Sequence, residues 1–94
     1  MRIRELVWNE RNEAHVARHG VRQQEVEEAA FDRAALTARA RGSRGRSRWA
    51  VLGATHTGKR LMIILEVLSD GSCLVVTARE MDKGEKRRYR TRGR

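Results

Sequence analysis

The sequence predicts an α+β fold in which helices pack on a small antiparallel sheet. Three features support this expectation: a helical N-terminal third, an apolar segment over residues 60–68 that is typical of a central strand, and an Asp70-Gly71 pair that is typical of a hairpin turn. We expect two N-terminal helices on one face of the sheet and a further helix near the C-terminus. Because 94 residues suffice for one core, we expect a single domain over residues 1–90 and a basic tail over 91–94.

The N-terminal third predicts a short strand followed by two helices. The strand is expected over residues 3–8, and Asn9 is a favourable N-cap for a helix that begins at residue 10. Gly20 follows a basic last turn, which is a typical helix stop. The second helix is expected over residues 22–32, because small and apolar side chains recur there at helical spacing.

The rest of the chain predicts strands and a last helix. The strands are expected over residues 34–38, 48–54, 60–68 and 73–78. A loop rich in Arg, Gly and Ser, over residues 39–47, joins the first two of them. Capping-box patterns at Thr77-x-x-Glu80 and Asp82-x-x-Glu85 predict a helix that begins near residues 80–83 and ends at about residue 90.

The net charge of +9 is concentrated in two short segments. Residues 39–48 contain five arginines and residues 86–94 contain six basic residues, and neither segment contains an acid. Such basic patches attract polyanions, chiefly nucleic acid, and the planar guanidinium fork binds two phosphate oxygens at once. An acidic protein partner and a merely solubilising surface are the alternatives.

Several other classes of protein are not supported by the sequence. The apolar runs are far shorter than the roughly 18 residues of a membrane span, and no hydrophobic signal core follows the first residues. Cys73 is the single cysteine, so we expect a buried, inert thiol and a cytoplasmic protein. Segment 53–59 lacks the pattern of a phosphate-binding loop. His15 and His19 stand one helical turn apart without a third metal ligand, so we expect surface histidines, no metal and no cofactor.

Short motifs are distributed along almost the whole chain. They are Trp8-Asn9, Arg18-His19-Gly20-Val21, Arg48 with Gly53 at the two ends of a strand, Gly58-Lys59-Arg60-Leu61, Thr77-Ala78-Arg79 and Glu85-Lys86-Arg87-Arg88-Tyr89. In this order and spacing they resemble the BrnT family of toxins. Two departures from the family pattern are Asn9, where aspartate is commoner, and segment 39–47, which is richer in arginine and lacks the usual acidic residues.

The resemblance implies a function and a set of partners. BrnT toxins are similar to RelE-like toxins, which are compact α+β ribonucleases that need no metal and are neutralised by an antitoxin. The expected partners are therefore an RNA substrate and a BrnA-like antitoxin with a ribbon-helix-helix part, through which DNA is bound only indirectly. Two alternatives remain open: a nucleic-acid-binding module without catalysis, and an interaction protein whose basic face holds an acidic partner.

RNA cleavage without a metal requires three kinds of group from this chain. When a 2′-hydroxyl attacks its own phosphate, the developing charge must be stabilised, and a proton acceptor and a proton donor are needed. Arginines on rigid strands can supply the first, and the candidates are Arg48, Arg60 and Arg79. Arg79 is the first choice, because it ends a strand and precedes a helix whose N-terminal amides favour an anion.

The remaining candidate residues fall into two groups. The possible proton carriers are His19, Lys59, Glu80, Glu85 and Tyr89. The candidates for RNA binding are Arg44, Arg46, Lys59, Lys83 and Arg87. A helix cap for Glu85 and a core ring for Tyr89 are equally good structural interpretations.

Overall fold

Five strands and three helices make up the part of the chain that the computed structural model describes, residues 1–42 and 44–92. The strands form one sheet in the order β1-β5-β4-β3-β2. The elements are β1 (Leu6–Val7), α1 (Glu10–Arg18), α2 (Gln23–Ala30), β2 (Leu36–Ala40), β3 (Arg48–Ala54), β4 (Arg60–Val67), β5 (Cys73–Glu80) and α3 (Lys83–Arg90). The α+β class is confirmed. Residue 43 of the predicted loop and residues 93–94 of the predicted tail lie outside the described residues.

The first strand departs most from the prediction. β1 covers Leu6–Val7 rather than residues 3–8, and it pairs in parallel with the start of β5, with Leu6 opposite Cys73. The sheet is therefore mixed, and the prediction of a purely antiparallel sheet is wrong. β1 is short because its partner strand begins only at Cys73, while Asn9 already caps α1.

β2 begins at Leu36, two residues later than predicted, and the delay has a local cause. The Oδ1 atom of Asp32 accepts the N–H of Ala34 at 2.9 Å, and the carbonyl oxygen of Asp32 accepts the N–H of Ala35 at 3.0 Å. These bonds form a turn, and the turn uses the backbone donors that an earlier strand would need.

The helix ends follow local signals in the sequence. Asn9 forms a capping box at the start of α1, and Gly20 has a φ of +74° where the chain leaves that helix. At α3 the capping box is that of Asp82 and Glu85. The pattern Thr77-x-x-Glu80 lies within β5 instead and does not start a helix, because these residues pair with β4.

The two faces of the sheet are covered unequally. α1 and α2 pack on one face and enclose the larger core, in which Val16, Val26 and Ile63 are fully buried. α2 approaches β3 so closely that a Cβ atom at Gly53 would stand 2.0 Å from the carbonyl oxygen of Ala29, which leaves room only for glycine. α3 lies on the other face, over a smaller cluster of Leu52, Met62, Met81 and Tyr89.

We call the part of the second face that α3 leaves uncovered the open face. Its main residues are Arg48, Ala50, Ile64, Glu66, Thr77 and Arg79. A β-bulge shapes this face, since Leu65 pairs with Val75 but its neighbour Ile64 pairs with Thr77. Because side chains alternate along a strand, the extra residue turns Thr77 and Arg79 towards the open face.

Candidate active site on the open face

The three arginines that the sequence places in the site lie on one face of the sheet but at two separate ends. Residues opposite one another on neighbouring strands point to the same face, and the register puts Arg48, Arg60 and Arg79 on the face that carries α3. Arg60 lies two residues before Met62 on β4, and Arg79 lies opposite Met62 on β5. Arg48 stands opposite Glu66 at the other end of β3, and along the strands it is about 20 Å from the level of Arg60 and about 13 Å from that of Arg79. The three guanidinium groups therefore do not converge on one point.

At the end that holds Arg79, an ion pair occupies the guanidinium group. Its Nη1 and Nη2 atoms bind the two carboxylate oxygens of Glu85 at 2.8 and 3.0 Å, and Nη1 also donates to the carbonyl oxygen of Glu80 at 3.0 Å. The bond to Arg79 holds the pKa of Glu85 below its ordinary value, and Glu85 in turn raises the pKa of Arg79. The Arg79 side chain is still 40% exposed, so a phosphate can reach it.

Tyr89 and Asp32 link the two helical layers near the same end. Tyr89 belongs to α3, and its ring is buried between that helix and the sheet. Its hydroxyl donates to the Oδ2 atom of Asp32 at 2.5 Å. Burial, and after it the bond to Asp32, raises the pKa of Tyr89. Burial opposes ionisation of Asp32, but the bonds from Tyr89, Ala34 and Ala54 outweigh it and hold the pKa of Asp32 below its ordinary value. Arg60 is exposed at this corner of the sheet.

The other end of the open face holds a carboxylate that is not among the site residues predicted from the sequence. Glu66 lies near the end of β4 and is only 4% exposed. Its Oε1 atom accepts from Nε of Arg48 at 3.2 Å, and its Oε2 atom accepts from Nη1 of Arg46 at 3.3 Å. Both arginines keep further N–H donors for a ligand, because a guanidinium group has five.

A cavity of about 280 Å³ lies beside Glu66, where α1 contacts β5, and residues of α1 and of the open face line it together. Asn12 fastens α1 there, since its Nδ2 atom donates to the carbonyl oxygens of Val7 at 3.0 Å and Val75 at 3.1 Å. The lining includes Arg11, Asn12, His15, Arg46, Arg48 and Glu66. A carboxylate, an imidazole and several guanidinium groups thus share one cavity.

His15 is held at the rim of this cavity by β5. Its Nε2 atom is 3.0 Å from the Oγ1 atom of Thr77, which the bulge has turned to this side. His19, the histidine predicted from the sequence as a proton carrier, is exposed at the end of α1, and its ring centroid is 5.3 Å from that of His15. The sequence signal that could have identified Glu66 is the presence of an acid within the apolar run 60–68. For His15 the signal is only its spacing of four residues from His19.

The residues expected to bind RNA lie in three places. Arg46 contacts Glu66, and Arg44 is exposed on the same loop. Lys83 and Arg87 are exposed on α3. Lys59 lies on the opposite side of the sheet, where its Nζ atom donates to the carbonyl oxygen of Gly20 at 2.9 Å and contacts the carboxylate of Glu25.

Within residues 1–42 and 44–92, no three His, Cys, Asp or Glu side chains are grouped so that they could hold a metal ion. Over the same residues, no helix has the length and apolar character needed to cross a membrane. Cys73 is buried, as expected, and burial raises the pKa of its thiol.

Comparison with known families accounts for most of the chain. Residues 8–85 match the family model of BrnT, described as the ribonuclease toxin of a type II toxin-antitoxin system. A comparison with curated proteins finds no match. The matched residues run from the residue after β1 to the first turn of α3 and include both ends of the open face. The chain therefore belongs to the BrnT family of ribonuclease toxins of type II toxin-antitoxin systems.

Proposed function

We propose that this chain is a metal-independent endoribonuclease that cleaves RNA by attack of a 2′-hydroxyl on the adjacent phosphate, and thereby inhibits translation in the cytoplasm. The observation that carries the proposal is the open face, a sheet surface with guanidinium groups at both ends and carboxylates beside them. Such a surface attracts a polyanion and can stabilise negative charge that develops on phosphate oxygens.

Single-stranded RNA fits this surface better than a duplex. The two ends are about 13–20 Å apart along the strands, so a bound strand contacts arginines through more than one phosphate. Between the ends lie the half-buried side chains of Ala50 and Ile64, on which unstacked bases can rest. Bases in single strands are free to splay in this way, whereas bases in a duplex are not.

The two ends take different tasks in this proposal. Arg79 already holds Glu85 through both Nη atoms, so it contacts a neighbouring phosphate through its exposed side, together with Arg60. Arg46 and Arg48 share one carboxylate and keep more donors, so the scissile phosphate lies there. Basic side chains on the adjoining loop and on α3, such as Arg44 and Arg87, extend the contact with RNA.

The antitoxin of this system is proposed to be a ribbon-helix-helix protein that covers the open face. An acidic or apolar segment laid across the arginines would block access of RNA to both ends. DNA is then bound by the antitoxin and reaches this chain only through it.

The test uses purified protein and an end-labelled single-stranded RNA in the presence of excess EDTA. We expect cleavage products with 2′,3′-cyclic phosphate and 5′-hydroxyl ends, because the 2′-hydroxyl is the nucleophile. The matched control is a 2′-O-methyl RNA of the same sequence, which should bind and stay intact. Cleavage of the methylated strand would refute the mechanism, and binding of both strands without cleavage would identify a nucleic-acid-binding module instead.

A further inference from the structure

We infer that Glu66 and His15 are the general base and the general acid of this reaction, with the RNA phosphodiester held in the cavity that they share. The inference rests on the proposed ribonuclease function and names the two proton carriers which that function needs. It differs from the sequence-based candidates, because neither residue is among them.

Glu66 is an unusual residue for its place in the fold. It follows a run of apolar residues, Leu61 to Leu65, in a central strand and is almost fully buried. A buried ion pair stabilises a fold little, since desolvation offsets the attraction, and apolar side chains of similar volume often serve as well. The pairing of Glu66 with arginine is therefore weak evidence that its charge is there for stability. A general base beside a phosphate site does require a carboxylate that is held in place.

The two arginines hold the Glu66 carboxylate but leave some of its hydrogen-bond acceptor sites free. Each carboxylate oxygen accepts one hydrogen bond, from Arg48 at 3.2 Å or from Arg46 at 3.3 Å. An ionised carboxylate has about four lone-pair sites, so either oxygen can still accept a proton from a ribose hydroxyl. The same guanidinium groups have N–H donors left for the non-bridging phosphate oxygens, which places the base and the phosphate side by side.

His15 supplies the second proton carrier at the rim of the same cavity. Its contact with Thr77 at 3.0 Å uses the Nε2 atom and fixes the ring, so the Nδ1 atom is left to exchange a proton with the substrate. An imidazole can donate or accept a proton at its ring nitrogens, which suits a proton carrier. His15 is half-buried, so it can recover its proton from water.

The proposed reaction balances without a metal or a further reactant. Glu66 takes the proton of the 2′-hydroxyl, and the 2′-oxygen forms a bond to phosphorus. The bond between phosphorus and the 5′-oxygen then breaks, and protonated His15 gives its proton to that oxygen. The products are a 2′,3′-cyclic phosphate and a 5′-hydroxyl. Arg46 and Arg48 offset the charge on the phosphate oxygens, and Glu66 and His15 return to their starting forms by exchange with water.

The pH profile tests this pair. The charged or titratable side chains that face it are Arg11 and His19 on α1, Arg46 on the loop and Arg48 on β3. Activity should rise with pH as the base loses its proton and fall again as the acid loses its proton. Glu66→Gln should remove the acidic limb of the profile, and His15→Ala should remove the alkaline limb. A purely structural role would lower the whole profile and leave its shape unchanged.

The decisive experiment compares two kinds of substrate on the whole protein. One is the single-stranded RNA, and the other is the set of 3′-(4-nitrophenyl phosphate) esters of the four nucleosides, whose leaving group departs without a proton. We expect His15→Ala to slow RNA cleavage by about 10²–10⁴-fold and to affect the nitrophenyl esters little. Glu66→Gln should slow both reactions by about 10²–10⁴-fold, because both need the 2′-hydroxyl to be deprotonated.

Matched controls are available on the far side of the sheet. Glu28→Gln and His56→Ala make the same chemical changes at a contact between α2 and the β3–β4 turn, and both variants should cleave like the wild type. If the wild type cleaves neither substrate, the proposed ribonuclease function fails. Two results with an active wild type would overturn the acid–base assignment while the ribonuclease function stands. One is that Glu66→Gln stays active, and the other is that His15→Ala lowers the cleavage rates of both substrates equally. Should Glu66→Gln not fold, the two-substrate comparison with His15→Ala alone decides.

Discussion

Replacing Tyr89 with phenylalanine isolates one hydrogen bond between the two helical layers. The hydroxyl donates to Asp32 at 2.5 Å, and the residue is 7% exposed, so phenylalanine keeps the packing and removes only the hydroxyl. Asp32 retains the N–H donors of Ala34 and Ala54, both at 2.9 Å, so no bare carboxylate is left. A hydrogen bond to a charged group contributes about 1.5–3 kcal/mol. We expect Tyr89→Phe to lower the free energy of unfolding by that amount at neutral pH.

This loss of stability should depend on pH. Burial opposes the ionised form of Asp32, but its hydrogen bonds outweigh burial and lower its pKa in the folded state. The stabilisation is therefore present above the unfolded pKa of about 3.9 and is lost as pH falls through the folded pKa. Burial and then Asp32 raise the pKa of Tyr89, so its contribution is present below the unfolded pKa of about 10 and is lost as pH rises through the folded pKa. The difference between wild type and Tyr89→Phe should be widest near neutrality.

Urea unfolding, followed by the fluorescence of Trp8 and Trp49, measures this difference in acid, at neutral pH and in alkali. In thermal unfolding each kcal/mol should lower the Tm by about 4–8 °C for a domain of this size. Adding Asp32→Asn to both proteins completes a double-mutant cycle that isolates the pair. Equal stability of wild type and Tyr89→Phe at neutral pH, or a difference that persists unchanged in acid, would refute the reasoning.

Three further predictions concern the open face. Arg48→Lys should lower kcat by about 10²–10³-fold, whereas Arg79→Lys should chiefly raise KM, because Arg79 is placed at a neighbouring phosphate. Steady-state kinetics on RNA separates the two effects, and the opposite pattern would place the scissile phosphate at Arg79. The double change Arg44→Glu with Arg46→Glu should weaken RNA binding and flatten its salt dependence, since fewer counterions are released; an affinity that does not depend on salt in the wild type would contradict this. The antitoxin should protect Arg79 and α3 from hydrogen exchange, and unchanged exchange there in the complex would place inhibition elsewhere.

The elements that the sequence predicts correctly are those specified by neighbouring residues. The caps at Asn9 and Asp82, the helix stop at Gly20 and the hairpin at Asp70-Gly71 each depend on a few adjacent residues. The hairpin bonds confirm this, since the N–H of Leu68 donates to the carbonyl oxygen of Ser72 at 2.8 Å. The parallel pairing of β1 could not be predicted in this way, because it joins residues that are far apart in the sequence, such as Leu6 and Cys73.

The candidate site shows the same division. Arg48 and Arg79 could be placed on strands from the local pattern, but which carboxylate each one contacts depends on the tertiary structure. Arg48 meets Glu66 18 residues away, and His15 meets Thr77 62 residues away. An acid in an apolar run is visible in the sequence, but its burial and its charged neighbours depend on how a loop, a strand and α1 come together.

The bulge in β5 is the feature that allows one strand to serve both the core and the open face. Before the bulge, Val75 is buried in the larger core, and after it the buried residue is Ala78, so the alternation changes phase by one residue. Without that change, Arg79 would share the face of Val75 and its charge would lie under the helices, where no such group is tolerated without a partner. Because of it, Thr77 contacts His15 and Arg79 contacts Glu85 on the outer side. The irregularity thus costs one unpaired strand position and places both ends of the proposed RNA path on a single surface.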